Sequence, residues 1–298
     1  MESVQALRRF NRSFTARIGV LDDRFLGLDR PLGHARVLFE LGLAGGDVAV
    51  GDLRSGLALD SGYLSRILRA LEADGLVEVI VGQHDARKRV AHLTAAGRAE
   101  WRRLDERSDQ LAAQLIERLG VAQRDRLTAA LGEADRLLAA AQTRIEVVDP
   151  HDAEARAAVG RYAAELDRIF PDGFDAHVAA AADVDALAPP GGRFVVARAD
   201  RAVVGCGGVQ VIEPGIAELK RMWVDEGMRG TGLGGRLLRA LEAHARDLGC
   251  TVVRLDTNSA LSTAVAMYRR AGYRPIPRYN TNPYPDLFFE KDLAAQAG

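Results

Sequence analysis

The segment MRGTGLGGRLL, Met228 to Leu238, crowds glycines into a stretch that would otherwise read as helix. Gly230, Gly232 and Gly235 spell G-x-G-x-x-G, a dinucleotide fingerprint, and Asp256 follows at about the distance of a ribose-binding acid. Arg229, Gly232 and Gly234 also spell R-x-x-G-x-G, a second diphosphate-binding pattern. Both chemistries need a strand that gives way to a helix, because the first N–H groups of a helix have no internal acceptor and point at an anion. Glycine lets the main chain approach that anion and adopt positive φ. A dinucleotide fold runs a buried strand directly into the first glycine and then adds several strand–helix units. Here the apolar run ELKRMWV stops at Val224, Asp225–Arg229 intervenes, and too little chain follows Gly235 for a doubly wound sheet. No G-K-[ST] follows either, which removes the P-loop alternative.

The elements that must carry this loop come late in a chain of 298 residues, a length suited to about two domains. Apolar residues make up 48%, ample for packed cores, and no apolar run approaches the ~18 residues of a membrane span. The polar start MESVQALRRFNRSF lacks the apolar centre of a secretory signal. Cys206 and Cys250 are the only cysteines, and the six histidines are scattered, so neither a disulfide framework nor a metal site is expected. A soluble cytoplasmic protein without membrane association is the expectation. With 40 basic and 41 acidic residues the net charge of −1 is uninformative, so any nucleic-acid surface must arise from local placement of charge.

The hydrophobic rhythm changes near residues 142–144. Before it the period is mostly helical; after it strands and helices alternate through RFVVARA, AVVGCGGVQVI, AELKRMWV, a helix Thr231–Leu248, TVVRLDT, a helix near Leu261–Ala271 and LFFEKDL. Domains over 1–142 and 143–298 are therefore predicted. No Pro/Gly/Ser-rich linker separates them, so a short junction is expected rather than a loose tether.

In the first half, a short helix near Val50–Leu57 is followed by a turn and a second helix capped by Asp60 or Ser61 and ending at Gly75. Leu64, Ile67, Leu68 and Leu71 form its apolar stripe, leaving Ser61, Ser65, Arg66 and Arg69 outward, where they can reach bases or phosphates. LVEVIV and RVAHL read as a hairpin whose tip carries Arg87, Lys88 and Arg89; an arginine there can enter a narrow minor groove. Residues 4–140 resemble the MarR family of winged helix-turn-helix regulators, on YLSRILRALEADGLVEV, the D-x-R of Asp85–Arg87, and LTAAG before the next long helix. The resemblance implies a mainly α winged-helix domain and a homodimer built from terminal helices on a pseudo-palindromic double-stranded DNA operator. Ser61, Tyr63, Ser65, Arg66 and Arg69 would face the major groove and Arg87 the minor groove.

The second half, from about Ile145 to Leu293, resembles the GNAT acetyltransferases. The resemblance rests on ELKRMWVDEGMRGTGLGGRLL, on LDTNSALSTAVAMYRRAGY with Asn258, Tyr268 and Tyr273 in its spacing, and on FFEKDL. It implies an α/β fold with a central mixed sheet, acetyl-CoA as donor, and direct attack by an acceptor amine. Main-chain groups of Met222, Trp223 and Val224 would pair with the pantetheine arm, and one N–H would polarise the thioester carbonyl. Arg229, Gly230, Thr231, Gly232, Leu233, Gly234 and Gly235 would cradle the pyrophosphate, with Asn258 facing the cofactor. Tyr268 would protonate the departing thiolate, or else be ordinary core. Glu218 would take the amine's proton, directly or through water, or else simply pair with Lys220 or Arg221. PRYNTNPYPDL, with Tyr279, Asn280 and Asn282, is either an acceptor mouth or a rigid connector. The expected whole is a bifunctional regulator and N-acetyltransferase; the alternatives are a regulator sensing acyl-CoA or a small amine without turnover, and an enzyme whose winged helix only dimerises.

Overall fold

The computed structural model describes residues 2–18, 30–82, 85–170, 173–174, 184–199 and 202–294, with the side chains of 82–88 excluded. Contacts divide the chain into two compact units, Met1–Thr128 and Ala129–Gly298.

The first unit contains α1 (Glu2–Arg17), α2 (Leu32–Ala44), β1 (Val48–Ala49), α3 (Val50–Gly56), α4 (Ser61–Ala73), β2 (Val77–Gly82), β3 (Asp85–Leu93) and α5 (Ala95–Ile116). Helix α4 begins where Asp60 Oδ1 accepts the Tyr63 N–H at 2.9 Å, which satisfies one of the unpaired first-turn donors. It ends where Gly75 takes φ 68 and Leu76 N–H returns to the Leu71 carbonyl at 2.9 Å, a left-handed helix stop that glycine adopts without strain. The stripe Leu64, Ile67, Leu68 and Leu71 is buried against Leu38, Leu41, Leu53 and Leu104. Each such side chain contributes about 1.5–3 kcal/mol by leaving water. Strands pair in the antiparallel order β1-β3-β2, the wing being β2–β3. Gly97 lies in the first turn of α5, where a Cβ would stand 1.9 Å from the Leu76 carbonyl oxygen; this is why LTAAG ends in glycine.

Helix α6 (Val121–Gln142) contains the Thr128/Ala129 division. The partition thus lies earlier than the change of sequence rhythm at 142–144, because the last turn of α6 belongs to the second core. There Ala140 is buried with Ala197, Met228 and Leu233.

The second unit continues with β4 (Arg144–Val148), α7 (Ala153–Ile169), β5 (Gly192–Ala199), β6 (Ala202–Glu213), β7 (Ile216–Val224), α8 (Leu233–Asp247), β8 (Val252–Thr257), α9 (Ser262–Arg270), β9 (Arg274–Pro275) and β10 (Leu287–Asp292). The sheet order is β4-β5-β6-β7-β8-β10-β9, with β7–β8 parallel and the remaining pairs antiparallel. Alternation along a strand feeds two cores. Val195, Val209, Leu219, Val253 and Leu255 pack with Leu237, Leu238 and Leu241 of α8. Phe194, Val196, Cys206 and Trp223 pack with Ala155 and Ala158 of α7.

Strand β7 departs from regular pairing on both sides. The β7–β8 pairing ends at Leu219↔Leu255, although β7 runs on to Val224 and β8 to Thr257. The β6–β7 register slips between Cys206 and Gly208, and Arg221 there takes φ 54, a left-handed conformation uncommon outside glycine.

Candidate active site

Where β7 and β8 part, the edge of Lys220–Val224 is released from its parallel neighbour. A cavity of about 1070 Å3 opens there, lined by Met222, Trp223, Val224, Met228, Arg229, Gly230, Gly232, Gly234 and Gly235 among others. Gly230 has φ 81 and Gly232 φ 86, and nothing lies within 4 Å of where a Cβ of either would stand. The first internal bond of α8 runs from Arg236 N–H to the Gly232 carbonyl, at 3.2 Å. The N–H groups of Leu233, Gly234 and Gly235 therefore have no acceptor within the helix.

Several expected loop residues act differently in detail. Leu233 is core, 1% exposed, and Thr231 turns its hydroxyl to the Met228 carbonyl at 2.7 Å; neither side chain lines the cavity. The Arg229 guanidinium is ion-paired with Glu165 of α7, and its Nε donates to the Val224 carbonyl at 3.2 Å. Glu165 also accepts the Trp223 indole N–H at 2.9 Å, so one carboxylate ties the end of β7 to the glycine loop. Arg239, one turn beyond Gly235, lines the cavity with a guanidinium nitrogen 3.5 Å from where a Gly235 Cβ would stand. The spacing of four residues on a helix is the sequence signal for Arg239; Glu165 has none, because its segment carries no motif.

Tyr268 of α9 is buried, and its hydroxyl lies 3.8 Å from the Met222 sulfur. Burial, and then the charge of Asp256, holds its phenol well above the ordinary tyrosine value, so its protonated form is favoured. Tyr162 of α7, which no sequence pattern singles out, is displaced the same way, first by burial and then by the neighbouring Tyr268 and Asp256.

A second cavity, about 470 Å3, shares Tyr162, Leu166, Met222, Leu261, Ala264 and Tyr268 with the first. Asn258 lines this one and not the first. Its amide donates to the Tyr284 carbonyl at 2.8 Å and its carbonyl accepts from Ala260 N–H at 2.9 Å, a turn role. The segment after Pro277 forms a wall: Asn280, Asn282 and Tyr284 line the cavity, while Arg278 braces the loop through the Asn282 and Pro285 carbonyls at 2.8 and 3.0 Å.

Glu218 lines neither cavity. It is 4% exposed and takes four donors: Tyr279 at 2.8 Å, Asn280 at 3.2 Å, Gln210 at 3.0 Å and Lys220 at 3.2 Å. The carboxylate that does line the second cavity is Asp256, whose Oδ2 accepts from Asn280 at 2.8 Å and Asn282 at 3.1 Å. Asn280 thus bridges the two acids. Cys206 and Cys250 are buried and free; burial pushes the Cys206 thiol up to about 12.

On α4, Ser61, Tyr63, Arg66 and Arg69 are exposed and Ser65 is half-buried, opposite the leucine stripe. The Arg66 guanidinium stands 5.9 Å from the Tyr63 ring centroid. Arg89 is exposed on β3, whereas the side chains of Arg87 and Lys88 lie outside the described residues. Among the described residues, no helix is long and apolar enough to cross a membrane.

Comparisons with known proteins agree with both halves. The acetyltransferase (GNAT) family model matches residues 160–273, and the MarR family model matches 26–88. The IAA acetyltransferase of Azospirillum brasilense is 39% identical over 133 residues, which cover 43% of this chain and 86% of that protein. A solved GNAT-family acetyltransferase from Staphylococcus aureus is 18% identical, with a TM-score of 0.44, over 50% of this chain and 99% of that one. The apo form of MarR from Escherichia coli is 22% identical, with a TM-score of 0.38, over 43% of this chain and 93% of that one. The chain thus belongs to the GNAT acetyltransferase family, joined in one polypeptide to a MarR-family winged helix-turn-helix domain.

Proposed function

We propose that the chain is a bifunctional regulator and acetyl-CoA-dependent N-acetyltransferase acting on an amine. One observation carries the enzymatic reading: two cavities meet at Met222 and Tyr268, one ending at a glycine-lined helix N-terminus and the other at a carboxylate. The open space above Gly230 and Gly232 fits a diphosphate, and acetyl-CoA bound there supplies the activated acetyl group. The released edge of Met222–Val224 holds the pantetheine arm, and Arg239 adds positive charge beside the diphosphate. Arg229, already paired with Glu165, fixes the loop.

Tyr268 holds the proton that the leaving sulfur requires, and burial keeps it there. An amine with an ordinary pKa near 10 arrives protonated and must give up a proton before attack. Asp256 is the carboxylate on the acceptor side that holds this ammonium and takes its proton. Glu218 acts behind it as a positioning residue, through their common Asn280. Thiol release from acetyl-CoA with an amine panel tests the reading; no release with any amine, and no heat of acetyl-CoA binding in calorimetry, would falsify it.

The first unit supports the other activity: as a homodimer, the chain reads a pseudo-palindromic operator through Ser61, Tyr63, Ser65, Arg66 and Arg69 in the major groove, with the wing residues Arg87, Lys88 and Arg89 beside it. Arg69→Ala should weaken DNA binding and flatten its salt dependence; an unchanged slope refutes the contact. Operator affinity with and without acetyl-CoA tests whether the halves communicate; an unchanged affinity refutes communication alone.

A further inference from the structure

The second cavity has a chemical character of its own. Three consecutive residues of β7, Lys220, Arg221 and Met222, line it, whereas side chains of a regular strand alternate between faces. The bulge accounts for this. Left-handed φ at Arg221 and the slipped register opposite Gly207 break that alternation and add a second cationic residue to the lining, and such strain persists where the surrounding fold imposes it. Lys220 is paired with Glu218 at 3.2 Å. The charge of Arg221 reaches Tyr162 and Cys206, whose ionised forms it favours, so the guanidinium lies close to the junction of the cavities. A guanidinium has five N–H donors in a planar fork and can serve a bound carboxylate together with partners within the protein.

Asp256 is the one acidic residue among the described lining residues, and its charge reaches Tyr268 and Tyr162. Farther along, Phe170, Phe174 and Tyr284 form an aromatic wall. Phe174 and Tyr284 have ring centroids 4.7 Å apart, Phe170 and Phe174 5.9 Å, and Phe170 and Tyr284 6.3 Å. The cavity therefore presents a cation, an anion and an aromatic surface around one apolar space. A polyamine offers nothing to Arg221 and adds positive charge beside it. A simple apolar amine meets Asp256 and the aromatic wall but offers nothing to the cation.

We propose that the acceptor is an α-amino acid with an aromatic or large apolar side chain. Its carboxylate binds Arg221, its amino group lies between Asp256 and Met222, and its side chain rests on Phe170, Phe174 and Tyr284. This rests on the acetyl-transfer reading above. In the transfer, the amino nitrogen forms a bond to the acetyl carbon as the carbon–sulfur bond breaks. Of the two protons the ammonium loses, one passes through Asp256 to solvent; the other replaces the proton that Tyr268 gives to the sulfur.

The full chain with acetyl-CoA, assayed by thiol release, tests this with phenylalanine against phenethylamine, leucine against isoamylamine, and spermidine. The amino acids should exceed their decarboxylated partners in kcat/KM by roughly 10- to 100-fold, the range for a hydrogen bond to a charged group. Arg221→Gln should bring that ratio close to one. The ratio is taken on one preparation, so a smaller folded fraction cancels, and Arg221→Lys should retain part of the preference. Phenethylamine or spermidine equal to or better than phenylalanine overturns the proposal. So does absence of amino-acid turnover when calorimetry shows acetyl-CoA bound, an outcome that leaves the donor site standing. Neither acetyl-CoA heat nor thiol release with any acceptor overturns the acetyl-transfer reading together with it.

Discussion

At the scale of single residues, burial decides which groups keep their protons. Tyr268 is neutral and, among the described residues, its hydroxyl meets a soft sulfur partner, so Tyr268→Phe removes a hydroxyl proton while keeping the ring contacts with Tyr273 and Phe289. The expected result is a fall in kcat of roughly 100-fold or more, with KM for acetyl-CoA nearly unchanged; a kcat close to wild type would show Tyr268 to be core only. Burial also sets the response to alkali. The Cys206 thiol rises from 9.0 to about 12, so its protonated form is the one the fold favours. Its stabilising contribution is complete below pH 9.0, where the unfolded thiol begins to ionise, and is lost as pH rises through about 12. Tyr162, Tyr268, Tyr273 and Tyr279 are displaced in the same direction, each first by burial. The melting temperature should therefore decline progressively between pH 9 and 12, and a flat profile over that window contradicts the assignment. Tyr268 was legible as a candidate from spacing within one motif. Glu218 was visible as an acid on β7, but its four donors come from β6, from the segment after Pro277 and from Lys220, and no local pattern announces them.

Elements are held by features that act over a few residues, and here the sequence was most informative. Asp60, Gly75 and the leucine stripe define α4, because capping and helical periodicity are local properties. Gly97 is the strictest packing constraint of the winged helix. Gly97→Ala would drive its Cβ into the Leu76 carbonyl, and the first unit should lose about 3 kcal/mol, read as a lowered denaturant midpoint. In the second unit Gly232 begins α8 at φ 86 with open space around it. Gly232→Ala should cost about 1–2 kcal/mol of backbone strain without a clash. It should appear chiefly as weaker acetyl-CoA binding; unchanged affinity would mean that the loop does not meet the diphosphate. The bulge at Arg221 leaves no trace in the sequence, since ELKRMWV reads as an ordinary strand and the register slip depends on its neighbour β6.

Across the whole molecule, surfaces left apolar within one chain carry the expectation of a dimer. Helix α1 buries no residue: Val4, Leu7, Phe10 and Phe14 are 61%, 47%, 50% and 40% exposed, and the two phenylalanine rings stack at 5.5 Å. Leu131, Leu137 and Leu138 of α6 are exposed as well. Replacing Phe10 and Phe14 together by serine should shift the chain from dimer to monomer in sedimentation, because the apolar stripe would lose its largest members. A dimer of undiminished strength would assign the interface elsewhere. Within the second unit, Arg236 of α8 donates to the carbonyls of Ala140 and Thr143, the latter at 2.7 Å, and so closes the end of α6 directly beside the glycine loop.

The amino-acid sequence by itself determined the two-part organisation, the glycine turn into α8, helix α4 with its cap, and the place of Tyr268 on α9. Each depends on periodicity, capping or spacing within a short stretch of chain. Tertiary structure alone decided that Asp256 and not Glu218 lines the second cavity, that Arg229 is claimed by Glu165, and that Arg221 joins that lining. Those outcomes depend on where β7 and β8 separate and on contacts between residues up to 64 positions apart. Such pairings are selected by packing of the finished sheet against α7 and the segment after Pro277, which no local pattern of residues encodes.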